Sequence, residues 1–107
     1  MDYKKPRVCE RIEDAGAKRL RIHMKARGWD IIKTHGSIYQ EGLPDLYCFH
    51  STHGVRWIET KAPGRKLRQS QIRVCNRFGK KGIGVWVLED EKDYCKLFQK
   101  DNWMVYV

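Results

Sequence analysis

The run Gly42-Leu43-Pro44-Asp45-Leu46-Tyr47-Cys48-Phe49-His50, the turn Ser51-Thr52-His53-Gly54 and the run Val55-Arg56-Trp57-Ile58-Glu59-Thr60-Lys61 decide the reading of this chain. Two β-rich segments separated by a short glycine-containing turn predict a hairpin, with strands over 45–50 and 55–61. Side chains alternate faces along a strand, so Trp57, Glu59 and Lys61 share one face, and Ile58 and Thr60 the other. A turn of three or four residues places Asp45 opposite residue 59 or 60, where directly opposed Cβ atoms lie about 4.5–5.5 Å apart. Two carboxylates that close repel, and one takes up a proton unless a cation sits between them. Oxygen donors from Asp45, Glu59 and the Thr60 carbonyl suit Mg²⁺ or Mn²⁺ rather than zinc. Lys61 lies on the same face as Glu59, where its ammonium can meet an attacking water or a phosphate oxygen.

Reading outward, residues 8–27 have the periodicity of an amphipathic helix. Leu20 and Met24 define its apolar stripe, and Gly28 stops it. Glu13 falls almost under Leu20 on the helical wheel. A carboxylate there needs a partner, because an isolated buried charge is very costly. Glu10 lies at the edge of the same stripe. Trp29–Thr34 predicts a first strand, and His35–Leu43 a loop. Past the hairpin, Ala62-Pro63-Gly64 ends the third strand, and a helix follows over roughly 68–78. Its face of Leu67, Gln71, Val74 and Phe78 turns Gln71 inward, where it can orient water or Lys61. Ile83–Leu88 reads as a buried central strand. Glu89–Gln99 predicts a short helix and Trp103–Val107 a last edge strand. The expected architecture is a single α/β domain over 1–107, a small mixed β-sheet flanked by helices with an α-β-β-β-α-β core.

The formal net charge is +9, from 22 Lys and Arg against 13 Asp and Glu. Residues 60–82 hold Lys61, Arg65, Lys66, Arg68, Arg73, Arg77, Lys80 and Lys81 and no acid. A solvated helix face normally mixes both signs, so this block predicts contact with a phosphate backbone. A hydrophobic content of 41% excludes a disordered chain. No apolar run has the length of a membrane span, and the N-terminal residues lack a signal peptide's apolar core. A soluble, cytoplasmic protein is expected. Cys9, Cys48, Cys75 and Cys95 show no C-x-x-C or zinc-ribbon spacing and are expected to be buried free thiols.

Singly these signals are commonplace: Pro-Asp marks turns, and most Glu-x-Lys pairs sit on surfaces. Their joint order is not. Gly42-Leu43-Pro44-Asp45, then Glu59-Thr60-Lys61, then Gln71 after Leu67, preceded by Glu13 (or Glu10) on a helix, resembles the PD-(D/E)xK nuclease superfamily, most closely its VRR-NUC branch. The resemblance covers about residues 8–98 and implies a restriction-endonuclease-like fold and metal-dependent phosphodiester hydrolysis. By that resemblance Asp45, Glu59, Thr60 and Glu13 hold Mg²⁺ or Mn²⁺, Lys61 positions the nucleophile and Gln71 supports Lys61. Arg65, Lys66, Arg68, Arg73, Arg77, Lys80 and Lys81 would bind DNA. Minimal VRR-NUC proteins look like viral or mobile-element repair nucleases, and several act as homodimers on four-way junctions. The expected protein is therefore a structure-selective DNA endonuclease of viral or bacterial origin, a homodimer with no organic cofactor. Trp29, Trp57, Trp86, Trp103 and Tyr106 are either apolar surface for the dimer or part of the core. The alternative is a non-catalytic nucleic-acid-binding module that keeps the fold. Loss of Asp45, Glu59 or Lys61 would mark it, and all three are present.

Overall fold

A computed structural model describes residues 12–34 and 41–107. The order is α1 (Ile12–Lys25), β1 (Asp30–Lys33), β2 (Leu46–His50), β3 (Gly54–Thr60), α2 (Gln69–Lys80) and β4 (Val85–Leu88), followed by 3₁₀ helices over Glu91–Phe98 and Trp103–Tyr106. The four strands form one sheet in the order β1-β2-β3-β4. The β1–β2 and β2–β3 pairs are antiparallel, whereas β3 and β4 are parallel and are joined by the crossover through α2 that a parallel pair requires. This is the expected restriction-endonuclease-like α/β fold. Part of the 35–43 loop, together with Cys9 and Glu10, lies outside the described residues.

Alternation sorts the sheet into two packed faces. Leu46, Cys48, Ile58 and Leu88 meet Leu20 and Met24 of α1 and Leu97 of the first 3₁₀ helix. Val85 and Val87 on the other face meet Cys75 of α2, Leu67 and Trp103. Ile58 and Glu59 are successive residues, so the apolar one points toward α1 and the carboxylate toward α2. The helical stripe on α1 is as expected: Gly16, Ala17, Leu20 and Met24 are buried.

Three expectations are corrected. Residues 103–107 do not extend the sheet. The Asn102 side chain takes the edge of β4 instead, its Oδ1 accepting from Val87 N at 2.7 Å and its Nδ2 donating to Val87 O at 3.0 Å. Asp101 Oδ2 accepts from Val85 N at 3.2 Å. Side-chain amide and carboxylate thus satisfy backbone groups that a fifth strand would have paired, which blunts an exposed edge. The aromatic residues offered as dimer surface are core: Trp29 and Trp103 are buried, and Trp57, Trp86 and Tyr106 are partly buried against the two clusters. Cys48 and Cys75 are buried free thiols as expected, but Cys95 is exposed. Burial pushes the Cys48 thiol up to about 12. Among the described residues no helix is long and apolar enough to cross a membrane.

Candidate active site

Among the described residues, the buried polar and charged side chains are Glu59, Thr60, Lys61, Ser70 and Gln71. They come from two short segments, the end of β3 and the start of α2. Burying such groups without partners costs several kcal/mol, roughly 2–7 for a neutral polar group and far more for a charge. Their concentration at one place in the fold is the feature that marks the site.

Register brings the first acid there. Leu46 pairs with Ile58, so Asp45, one residue before, falls beside Glu59. Asp45 is half-buried. Its Oδ2 accepts from the Thr60 backbone N at 3.0 Å and from Thr60 Oγ1 at 2.6 Å. Two donors on one oxygen hold the carboxylate, and the described residues give no hydrogen bond to its Oδ1. From the other side, Thr34 N and Oγ1 donate to the Asp45 carbonyl at 2.8 and 3.1 Å, which ties the Pro-Asp step to the end of β1.

Glu59 is 3% exposed and Lys61 6%. Lys61 Nζ stands 4.0 Å from Glu59 Oε2, and Gln71 Nε2 donates to the same oxygen at 2.9 Å. Gln71 Oε1 in turn accepts from Arg68 N at 2.8 Å. The glutamine therefore serves two ends at once: it caps the first turn of α2 and fixes the Glu59 carboxylate. The expectation that Gln71 supports Lys61 needs adjusting, since its amide engages Glu59. The neighbouring Cys75 thiol is pushed up to about 11, chiefly by burial and then by the negative charges of Glu59 and Asp101.

Gly42 explains how the Gly-x-Pro-Asp loop gets this close to α2. Its φ is +90°, a conformation favouring glycine. A Cβ there would also strike the Ser70 carbonyl oxygen. The glycine lets backbone touch backbone at the first turn of α2, two residues before Pro44 and one before Gln71 on the helix side.

The donor set at this corner is oxygen from two carboxylates, one of them buried, which fits a hard divalent cation. Among the described residues no third His, Cys, Asp or Glu joins them. Glu13 lies in the first turn of α1, but its side chain is outside the described ones. The basic residues expected to bind DNA, Arg65, Lys66, Arg68, Arg73, Arg77, Lys80 and Lys81, are all exposed. Arg73, Arg77 and Lys80 recur at helical spacing on one face of α2. Sequence reading missed the Thr60 hydroxyl, Thr34 and the Arg68 backbone N–H as positioning groups. A threonine between Glu and Lys was the available signal for the first. The other two act through chain geometry that one-dimensional spacing does not carry.

A solved structure described as a VRR_NUC domain superposes on this fold with a TM-score of 0.72 and 25% identity, covering 84% of this chain and 97% of that one. No family model matches the chain, and none of the curated proteins does. The fold and the placement of its motifs define a nuclease-type domain with a restriction-endonuclease-like core. Within that class the chain is similar to a VRR_NUC domain over most of its length, as the resemblance read from its motifs implies.

Proposed function

We propose that this protein is an Mg²⁺- or Mn²⁺-dependent DNA endonuclease that hydrolyses phosphodiester bonds in branched DNA, four-way junctions among them, as a homodimer. The observation that carries the reading is the burial of Glu59, Lys61 and Gln71 in hydrogen-bonding or ion-pairing reach of one another, beside the tethered Asp45. A structural salt bridge gains little from being buried. A buried carboxylate–ammonium–amide group at the mouth of a basic surface is what phosphoryl chemistry uses.

Asp45, Glu59 and the Thr60 carbonyl would hold the metal, with Glu13 as a further ligand. When bound, the ion acts as a Lewis acid on the phosphoryl oxygen and makes bound water more acidic. The chain's own residues do the rest. Gln71 keeps Glu59 from rotating away from the corner, and Thr60 does the same for Asp45. Lys61, nearly dry, orients the attacking water and offsets charge that develops on the phosphate, an effect magnified where water is excluded. The exposed cations of 65–81 hold the backbone. A C2 pair places two such sites on one junction, as symmetric cutting requires.

The test is a cleavage panel of single strands, duplexes, flaps and four-way junctions with Mg²⁺, Mn²⁺ or EDTA, run on wild type and Lys61→Ala. Branch-dependent cutting that vanishes with EDTA and with Lys61→Ala is expected. Cutting that persists in either condition would remove the proposed chemistry.

A further inference from the structure

A second concentration of positive charge lies on the α1 side of the sheet, away from the 65–81 block. Lys18, Arg21, Ile22, Lys25, Ile31 and Lys33 line a groove of about 360 Å³ between α1 and the edge strand β1. Lys18, Arg21 and Lys25 fall at successive turns on one side of the helix. Lys33 and Ile31 share the α1-facing side of β1, so they complete the far wall. Among the described residues no acid lines the groove. Asp30, the one acid of β1, belongs to the alternate face of the strand. Other cations of α1 and the turn after it have protein partners: Arg19 pairs with Glu91 at 3.0 Å, and Arg27 donates to the His23 carbonyl and lies over the Tyr94 ring. Among the described residues the four groove cations have no ion pair.

The groove's Lys33 adjoins the strand end that holds the Asp45 carbonyl. Lys33 is followed by Thr34, whose N and Oγ1 hold the Asp45 carbonyl. A phosphate backbone leaving the carboxylate corner has therefore two basic tracks: over α2 on one face of the sheet, and past Lys33 along α1 on the other. A second copy of this chain does not suit the groove, because an isologous contact would set the four cations against themselves. A polyanion does.

We infer that the α1–β1 groove is a second nucleic-acid track that receives a different duplex arm from the one held by α2. The inference rests on the nuclease reading of the site, and extends it to the substrate. A straight duplex follows one face of the sheet, and bending it around the edge costs elastic energy. At a branch point the arms already diverge, so both tracks fill without bending. The groove would thus supply the selectivity for branched DNA.

The experiment reads binding in EDTA, so cleavage does not enter. A labelled four-way junction and one of its arms as a plain duplex are titrated with wild type, with Lys25→Glu/Lys33→Glu, and with Lys92→Glu/Lys100→Glu. The last pair has the same change of charge at exposed positions outside the groove. All four residues are exposed, and circular dichroism confirms folding. The groove variant is expected to weaken junction binding about tenfold or more. It should also lower the log-log salt slope by about 2, at roughly 0.9 for each phosphate no longer neutralised. Its duplex affinity should fall no further than that of the control variant. Equal losses in both variants, equal losses on junction and duplex, or no junction binding by wild type would overturn the inference. So would a groove variant that keeps its junction affinity. A wild type that binds junctions through the groove and never cuts them would leave the groove standing and remove the nuclease reading. A protein that cuts junctions with unchanged binding in the groove variant would do the reverse.

Discussion

A single oxygen, Glu59 Oε2, gathers the most chemistry in the molecule, since the Gln71 amide and the Lys61 ammonium both approach it. Lys61→Ala is expected to lower single-turnover cleavage by about 10²–10⁴ while leaving DNA affinity nearly intact. Equal cleavage rates would dismiss the lysine. Gln71→Leu preserves size but removes the donor to a buried carboxylate. It should cost about 1–3 kcal/mol in urea denaturation, and the same variant should lose activity out of proportion to the fraction unfolded. A purely structural glutamine would show the stability loss alone. Asp45, Glu59, Lys61 and Gln71 were legible because strand and helix periodicities place them with few assumptions. The object of Gln71's hydrogen bond was not, because periodicity fixes the face a side chain occupies and not which of two neighbours on that face it touches.

Among the elements, the tight join is between the Gly-x-Pro-Asp loop and α2. Gly42→Ala meets both a left-handed backbone and the Ser70 carbonyl. A Tm drop corresponding to more than about 1 kcal/mol is expected, together with slower cleavage as Asp45 is displaced. An unchanged Tm would show that the loop can retreat at no cost. On the other side of the sheet, α1 meets the first 3₁₀ helix through Arg19 and Glu91. The Glu91 carboxyl is held below the usual range, first by its own backbone N–H and then by the Arg19 hydrogen bond. A lowered folded-state pKa means the unfolded chain binds the proton more readily. The contribution is therefore present above the ordinary glutamate range and is lost as pH falls through the lower folded value. The acid limb of a Tm–pH profile should accordingly be shallower in Arg19→Ala, and identical limbs would count against the pair. The sequence revealed every strand of the sheet but misjudged residues 103–107. An apolar Trp-Met-Val-Tyr-Val run has strand character, and only the fold shows that Asn102 and Asp101 already satisfy the edge it would have joined.

For the whole molecule the governing quantity is charge, +9 distributed over both sides of a thin sheet. Replacing Arg65, Lys66 and Arg68 with Ala should reduce the salt slope of DNA binding by up to about 2.7, at roughly 0.9 for each phosphate neutralised. An unaltered slope would move the α2 track elsewhere. The mid-chain basic block was evident in sequence because it is contiguous and free of acids. The α1–β1 groove was hidden, since its cations are interleaved with core residues and gather only when β1 lies alongside the helix. The mixed sheet has one more consequence. β2 and β3 pair across a tight turn and β1 joins β2 through a longer loop, whereas β4 must return through α2 to lie parallel to β3. Contacts between residues distant along the chain form slowly, after loop closure has been overcome. Glu59 sits on the early hairpin and Gln71 on the late crossover, so the centre is assembled in the last stage of self-organisation. A half-assembled chain holds Glu59 apart from the amide that fixes its carboxylate, so the buried group on which the proposed chemistry rests is the last to be completed.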